Sequence, residues 1–254
     1  MLHAAVVLAF AAGLLAPVGP APAVRPLPRV SVAAASVAEG GTTRVVLTLD
    51  RAAARPVEVR LDTRALTARG KRDYEPVHEV VRIPAGRTRV VVPVATLADG
   101  LDEADEAFRV RIGNPLHAVL DVNRATVEVR DADPEPGVAP QDGSVAEPVL
   151  GHRLGFTEVR LSAPSGRRVV VSLATRPGSA GLGDFVPLHP TAVFAPGETS
   201  QFVSVEVLSD DVVEGPETVR LVVTEVRHAR ATRAATITIV DADSRLAASG
   251  RMGP

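Results

Sequence analysis

The chain has no cysteine, no tryptophan and a single tyrosine. Lack of cysteine removes disulfides, thiol nucleophiles and thiolate metal sites together. It leaves export open, because a sandwich domain buries enough apolar surface without covalent staples. Scarce aromatics leave a core of Val, Ala and Leu, and leave little to line a sugar-binding cleft. An excess of one charge is also lacking: 28 basic and 30 acidic residues give a net charge of −2. Arginines and acids are interspersed, so the balance suggests neither a nucleic-acid binder nor an acidic-surface binder. No glycine-rich nucleotide loop occurs. No serine or carboxylate is patterned as a triad around the matching histidines His78 and His189 or His117 and His228. These gaps leave little basis for an enzyme, and the expectation is a non-catalytic protein.

Long apolar runs are missing except near the start. Ala4 to Ala16 is apolar and is followed by Pro17, Gly19, Pro20 and the small-x-small sequence Ala21-Pro22-Ala23. This resembles a signal peptide over residues 1–23, which places the chain outside the cell. The start carries His3 but no Lys or Arg, and the run is shorter than the roughly 20 residues of a bilayer span. Cleavage after Ala23 and retention as an anchor both remain open. No other segment is apolar enough to span a membrane.

What the chain does have is repetition. Asp73-Tyr74-Glu75-Pro76-Val77-His78 returns as Asp184-Phe185-Val186-Pro187-Leu188-His189, 111 residues later. The spacing from Asp99 to Asp210 and from Glu106 to Glu217 is also 111, and Asp131-Ala132-Asp133 returns as Asp241-Ala242-Asp243 after 110. Such a period suits a duplicated domain rather than a solenoid. The duplicates run from about Arg29 to Asp133 and from about Gly137 to Asp243, joined by Pro134-Glu135-Pro136, a short stiff connection. Ser244–Pro254 reads as a disordered tail.

Within each duplicate the hydrophobic period is two. Val57, Val59 and Leu61 alternate with Glu58, Arg60 and Asp62; Val203, Val205 and Val207 alternate with Ser204 and Glu206. About seven such segments fit each duplicate, near 30–34, 44–49, 56–62, 78–83, 87–96, 107–112 and 125–130 in the first. Seven short strands with turn residues between them predict an all-β protein of two tandem antiparallel Ig-like sandwiches.

If strands A to G each cross the sandwich, the A–B, C–D and E–F connections and the end of G share a pole. Carboxylates gather there in both duplicates. The opposite pole carries Arg51, Arg55, Arg87, Arg124, Arg167 and Arg168. Crowded carboxylates repel unless a cation neutralises them. Calcium suits an irregular all-oxygen set better than magnesium, and the absence of thiols and of suitably spaced histidines disfavours zinc.

Ala38-Glu39-Gly40, Asp73-Tyr74, Pro84-Ala85-Gly86, Asp99 through Glu103 to Glu106, and Asp131-Ala132-Asp133 together resemble the Calx-beta motif. That motif is known from sodium/calcium exchangers and from extracellular adhesion and matrix proteins. The resemblance implies a seven-stranded sandwich holding calcium at its loop pole. The ligands it implies are Glu39, Asp73, Asp99, Glu103, Glu106, Asp131 and Asp133 in the first duplicate. In the second they are Glu147, Asp184, Asp210, Asp211, Glu214, Glu217, Asp241 and Asp243. Departures from the pattern are the single acid in Ala98-Asp99-Gly100, alanine at 132 and 242, and Lys71-Arg72 directly before Asp73. The second duplicate is therefore expected to be the better site. The functional expectation is a secreted calcium-binding structural or adhesion module, whose partners are calcium and an extracellular or cell-surface protein. The alternative is a metal-free spacer or protein-binding sandwich.

Overall fold

A computed structural model describes residues 25–241 except 211 and 213. The expected signal segment and tail lie outside the described residues. Among the described residues no helix is long and apolar enough to cross a membrane.

The first half holds β1 (Arg29–Ala33), β2 (Val37–Ala38), β3 (Thr42–Leu49), β4 (Val57–Ala65), β5 (His78–Ile83), β6 (Arg89–Ala95), β7 (Glu106–Leu116), β8 (Val119–Leu120) and β9 (Arg124–Arg130). They form two sheets, ordered β6-β3-β1-β8 and β2-β9-β7-β4-β5. The second half repeats the plan with β10 (Gly137–Pro140), β11 (Gly143–Ala146), β12 (His152–Leu161), β13 (Val169–Pro177), β14 (Phe185–Val186), β15 (Thr191–Phe194), β16 (Ser200–Leu208), β17 (Glu217–Arg227), β18 (Arg230–Ala231) and β19 (Ala235–Val240). Its sheets are β14-β16-β12-β10-β18 and β11-β19-β17-β13-β15.

Period two in the sequence becomes burial in the sandwich. Val57, Val59 and Leu61 of β4 are fully buried while Arg60 between them is exposed. The first expected strand, near 30–34, corresponds to β1, and β2 is an additional short strand in the connection that follows. β1 pairs antiparallel with β3, then the chain changes sheets and β2 pairs parallel with β9. The crossing backbone is satisfied by a buried threonine, whose Thr43 hydroxyl donates to Ala35 O at 2.8 Å. Thr157 does the same for Gln141 O at 2.7 Å in the second half. This switch delivers Glu39 and Glu147 to the G-strand end, where their N–H groups bond Arg130 O and Val240 O at 2.9 Å.

One core cluster unites the first sandwich, with Tyr74 stacked on Phe108 at 4.1 Å between ring centroids. In the second sandwich the core separates into a cluster around Phe194 and Leu221 and another around Phe185 and Ile237. The position 111 residues after Phe108 is Val219, which offers Phe185 no ring to stack on.

The sandwiches meet through a polar junction. Asp102 in the β6–β7 loop is buried, at 3% exposure. Its carboxylate accepts a bond from Ser165 Oγ at 2.8 Å, and its carbonyl accepts the Gly166 N–H at 3.0 Å. The Arg167 guanidinium bonds the Glu103 carbonyl and lies 3.7 Å from the Asp102 carboxylate. The acidic pole of the first sandwich thus abuts the arginine-bearing pole of the second.

Candidate metal centre

Each acidic loop is held by its own backbone. After Glu39, Gly40 takes φ +69°, and the Gly41 N–H donates to Thr96 Oγ1 at 3.0 Å. A side chain at 41 would meet Ala38 O at 2.8 Å, so the turn that presents Glu39 needs glycine. Buried Tyr74 anchors the β4–β5 loop, and the neighbouring Asp73 carboxylate accepts the Arg69 N–H at 2.6 Å. In the second half buried Phe185 plays the anchor, and Asp184 accepts the Gly181 N–H at 2.6 Å. Asp99 and Asp210 each close a tight turn, accepting the N–H of Leu101 at 3.0 Å and of Val212 at 2.8 Å.

Among the described residues three carboxylate triads result, in each of which one oxygen per residue lies within 4.8 Å of the others. They are Glu39, Asp131 and Asp133; Asp73, Glu103 and Glu106; and Asp184, Asp210 and Glu214. Asp99 is exposed at the rim, outside the triads. Glu147, Glu217 and Asp241 line the concavity that Asp184 and Glu214 share. Glu147 accepts the Asp210 N–H at 3.0 Å, and Asp241 accepts the Glu214 N–H at 2.9 Å. Asp211 and Asp243 lie outside the described residues. Each concavity encloses about 10 Å³, the room of one water or ion. Two oxygens bound to one calcium at 2.3–2.6 Å can stand no more than about 5 Å apart, so the spacing and the all-oxygen donors fit that ion.

The first pole also carries a cation of its own. The Arg72 guanidinium lies 3.3 Å from Glu103 and 3.7 Å from Asp73, which supplies an internal cation to the first pole. Lys71 turns away and pairs with Glu75 at 2.8 Å. Two contributors escaped the sequence reading, Asp102 at the junction and Asp105; Arg72, expected to weaken cation binding near Asp73, lies against Asp73 and Glu103. Asp105 accepts the Asp131 N–H at 3.1 Å and so braces a triad member.

The Calx-beta domain profile matches residues 28–133 and 152–243. The chain belongs to the Calx-beta family. It is 30% identical over 172 residues to adhesion G-protein coupled receptor V1 of Danio rerio, across 65% of this chain and 3% of that protein. It is 28% identical over 176 residues to FRAS1-related extracellular matrix protein 2 of Homo sapiens, across 63% of this chain and 6% of that protein. The chain thus spans a small fraction of these relatives. Among solved structures, calcium binding domain CBD12 of CALX1.1 is similar with a TM-score of 0.42 and 19% identity, over 84% of this chain and 99% of that one. CBD12 from CALX1.2 has a TM-score of 0.41 and 20% identity over the same shares.

Proton affinity in these Calx-beta modules reflects the crowding. Burial, then the charges of Asp99, Asp133, Asp131 and Glu103, raises Glu39 to about 7. Burial, then Asp73 and Glu103, raises Glu106 to about 7. Burial, then Asp184, Glu214 and Asp210, does the same for Glu217. Glu103 and Glu214 shift the same way, through lost hydration first and neighbouring carboxylates second. A carboxyl whose pKa rises on folding contributes stability below its unfolded pKa and loses it as pH climbs through the folded value. The metal-free protein should therefore melt at progressively lower temperature between pH 5 and pH 8. Carboxyls lowered on folding, such as Asp62, have completed their contribution before that window. Thermal unfolding at several pH values without divalent ions checks this; a midpoint that stays level or rises contradicts it.

Proposed function

We propose that this chain is a non-catalytic calcium-binding module of an extracellular adhesion or matrix assembly, with an ion held at the acidic pole of each sandwich. The carrying observation is the convergence of carboxylates from sequence-distant loops into triads of ion-sized spacing. Extracellular relatives support the setting, and the N-terminal apolar run supports export. In the first sandwich the ligands would be drawn from Glu39, Asp73, Glu103, Glu106, Asp131 and Asp133, and in the second from Glu147, Asp184, Asp210, Glu214, Glu217 and Asp241. Calcium would supply charge neutralisation there, and the protein would supply oxygen donors on loops the core already anchors. Glu103 links site and junction: its carboxylate belongs to a triad and its carbonyl is held by Arg167. An ion that orders the β6–β7 loop would therefore stiffen the contact between sandwiches, the mechanical role expected of an adhesion module.

Binding to the folded state alone raises the unfolding midpoint. At 10 mM calcium and a dissociation constant of about 0.1 mM, in the extracellular-module range, the gain is about 2.7 kcal/mol per site. Midpoints should rise by about 10–20 °C with calcium and far less with magnesium. Asp210→Asn with Glu214→Gln should abolish the response of the second sandwich. No calcium-specific rise in the wild-type chain would leave a metal-free spacer. Arg72 favours that second reading for the first sandwich, because its guanidinium already neutralises Asp73 and Glu103.

A further inference from the structure

The outer face of the β2-β9-β7-β4-β5 sheet carries a charge array that the calcium reading does not use. Arg64 of β4 stands directly opposite Arg109 of β7, and Arg111 of β7 stands opposite Arg124 of β9. Like charges facing each other across strands destabilise a sheet. Among the described residues no carboxylate forms an ion pair with any of the four; those pairs lie elsewhere. Asp62, opposite Arg111, is committed to Arg60 at 3.2 Å and to His78 at 2.9 Å. Among the described residues the Arg124 guanidinium bonds the side-chain carbonyl of Asn123, at 3.5 Å, and no carboxylate. With Ala65 and Leu66, the four arginines line one open depression.

Two ordinary explanations do not account for the array. Charged gatekeepers against aggregation sit on edge strands, whereas β4, β7 and β9 are interior strands of this sheet. The fold does not require it either. In the second sandwich the first pair recurs as Arg176 opposite Arg220, but the positions equivalent to Arg111 and Arg124 are Val222 and Ala234. The full array belongs to the first sandwich alone.

We propose that this face binds a linear sulfated polysaccharide of the extracellular matrix. Adjacent strands lie about 4.8 Å apart and same-face residues about 6.8 Å apart along a strand, so the guanidiniums form a flat lattice. A flat lattice suits a polymer of fixed anions better than a lone phosphate, which needs a converging pocket. The guanidinium fork matches sulfate oxygens in paired hydrogen bonds. Stacking on bases is unavailable, since the first sandwich's aromatics, Tyr74 and Phe108, are buried in the core. The proposal uses the extracellular setting argued above and is independent of calcium.

The test is retention of the full chain on immobilised heparin in a salt gradient, with chelator present so that failure of the calcium sites cannot interfere. The wild-type chain, despite its net charge of −2, should be retained. Arg109→Gln with Arg111→Gln should weaken binding by about tenfold or more and flatten the salt dependence, as loss of phosphate-type contacts does. Arg51→Gln with Arg55→Gln, in the β3–β4 loop outside this strand array, should not. Relief of like-charge pairs should leave the unfolding midpoint of the first variant unchanged or higher, which separates lost binding from lost folding. Desulfated heparin should fail to compete. Passage of the wild-type chain without retention would overturn the proposal. So would equal effects of both variants, or equal competition by duplex DNA or phosphatidylserine vesicles.

Discussion

Asp102→Ala is expected to remove about 2–4 kcal/mol of coupling between the two sandwiches. Breaking a buried charged pair costs about 3–5 kcal/mol when one partner is left behind. Here the partner, Arg167, keeps its bond to the Glu103 carbonyl and is partly exposed, so solvent screening lowers the figure. Ser165 Oγ loses its 2.8 Å carboxylate acceptor in a buried site. The Arg167 Nε is already buried without a hydrogen-bond partner, so the loss adds to a polar cost already present at that end of the guanidinium. Asp102→Asn keeps an acceptor for Ser165 and loses only the charge, so it should cost about 1 kcal/mol. Calorimetry reads the difference. The wild-type sandwiches should unfold with strong overlap, and Asp102→Ala should split the transition into two. A variant that melts as the wild type would mean that the short connection alone, tied down by Arg230 N–H to Pro136 O at 2.9 Å, sets the relation between sandwiches.

That junction marks the limit of what the sequence disclosed. Strand positions were legible because burial alternates with period two: Val57, Val59 and Leu61 turn inward, and Glu58, Arg60 and Asp62 turn outward. The gathering of acidic loops at one pole followed from strands that reverse at every turn. The extra strand β2 was not legible, since changing sheets depends on the Thr43 hydroxyl of β3 reaching the Ala35 carbonyl. Asp102 was not legible for a related reason. In the sequence it is one more loop acid, and its burial exists only because residues 165–167 fold against it. Repetition gave no help there: 111 residues after Asp102 stands Val213. Comparing duplicates finds what both sandwiches need and is blind to what holds one to the other. The same blindness applied to Arg111 and Arg124, whose equivalents are uncharged.

In the second sandwich core and site are one mechanical unit, and Phe185→Ala exposes the link. Phe185 is fully buried and, as β14, pairs with Val207 of β16. Its removal should cost about 3–5 kcal/mol, the range for emptying an aromatic from a core. For a domain of about 100 residues that lowers the unfolding midpoint by upwards of about 10 °C. The small separate cluster around Phe185 leaves few neighbours to close the cavity, which favours the upper end. Asp184 is the adjacent residue, and its carbonyl accepts the Leu208 N–H at 2.9 Å. Loss of the ring frees that loop, so Phe185→Ala should also weaken any calcium-dependent rise of the second sandwich. Phe185→Leu keeps the volume filled at a cost of about 1 kcal/mol and should retain the calcium response. Parallel melts of both variants with calcium and with chelator decide the matter. If Phe185→Ala loses stability yet keeps the full calcium increment, Asp184 is positioned by its own turn, through Gly181, and the anchor serves the core alone.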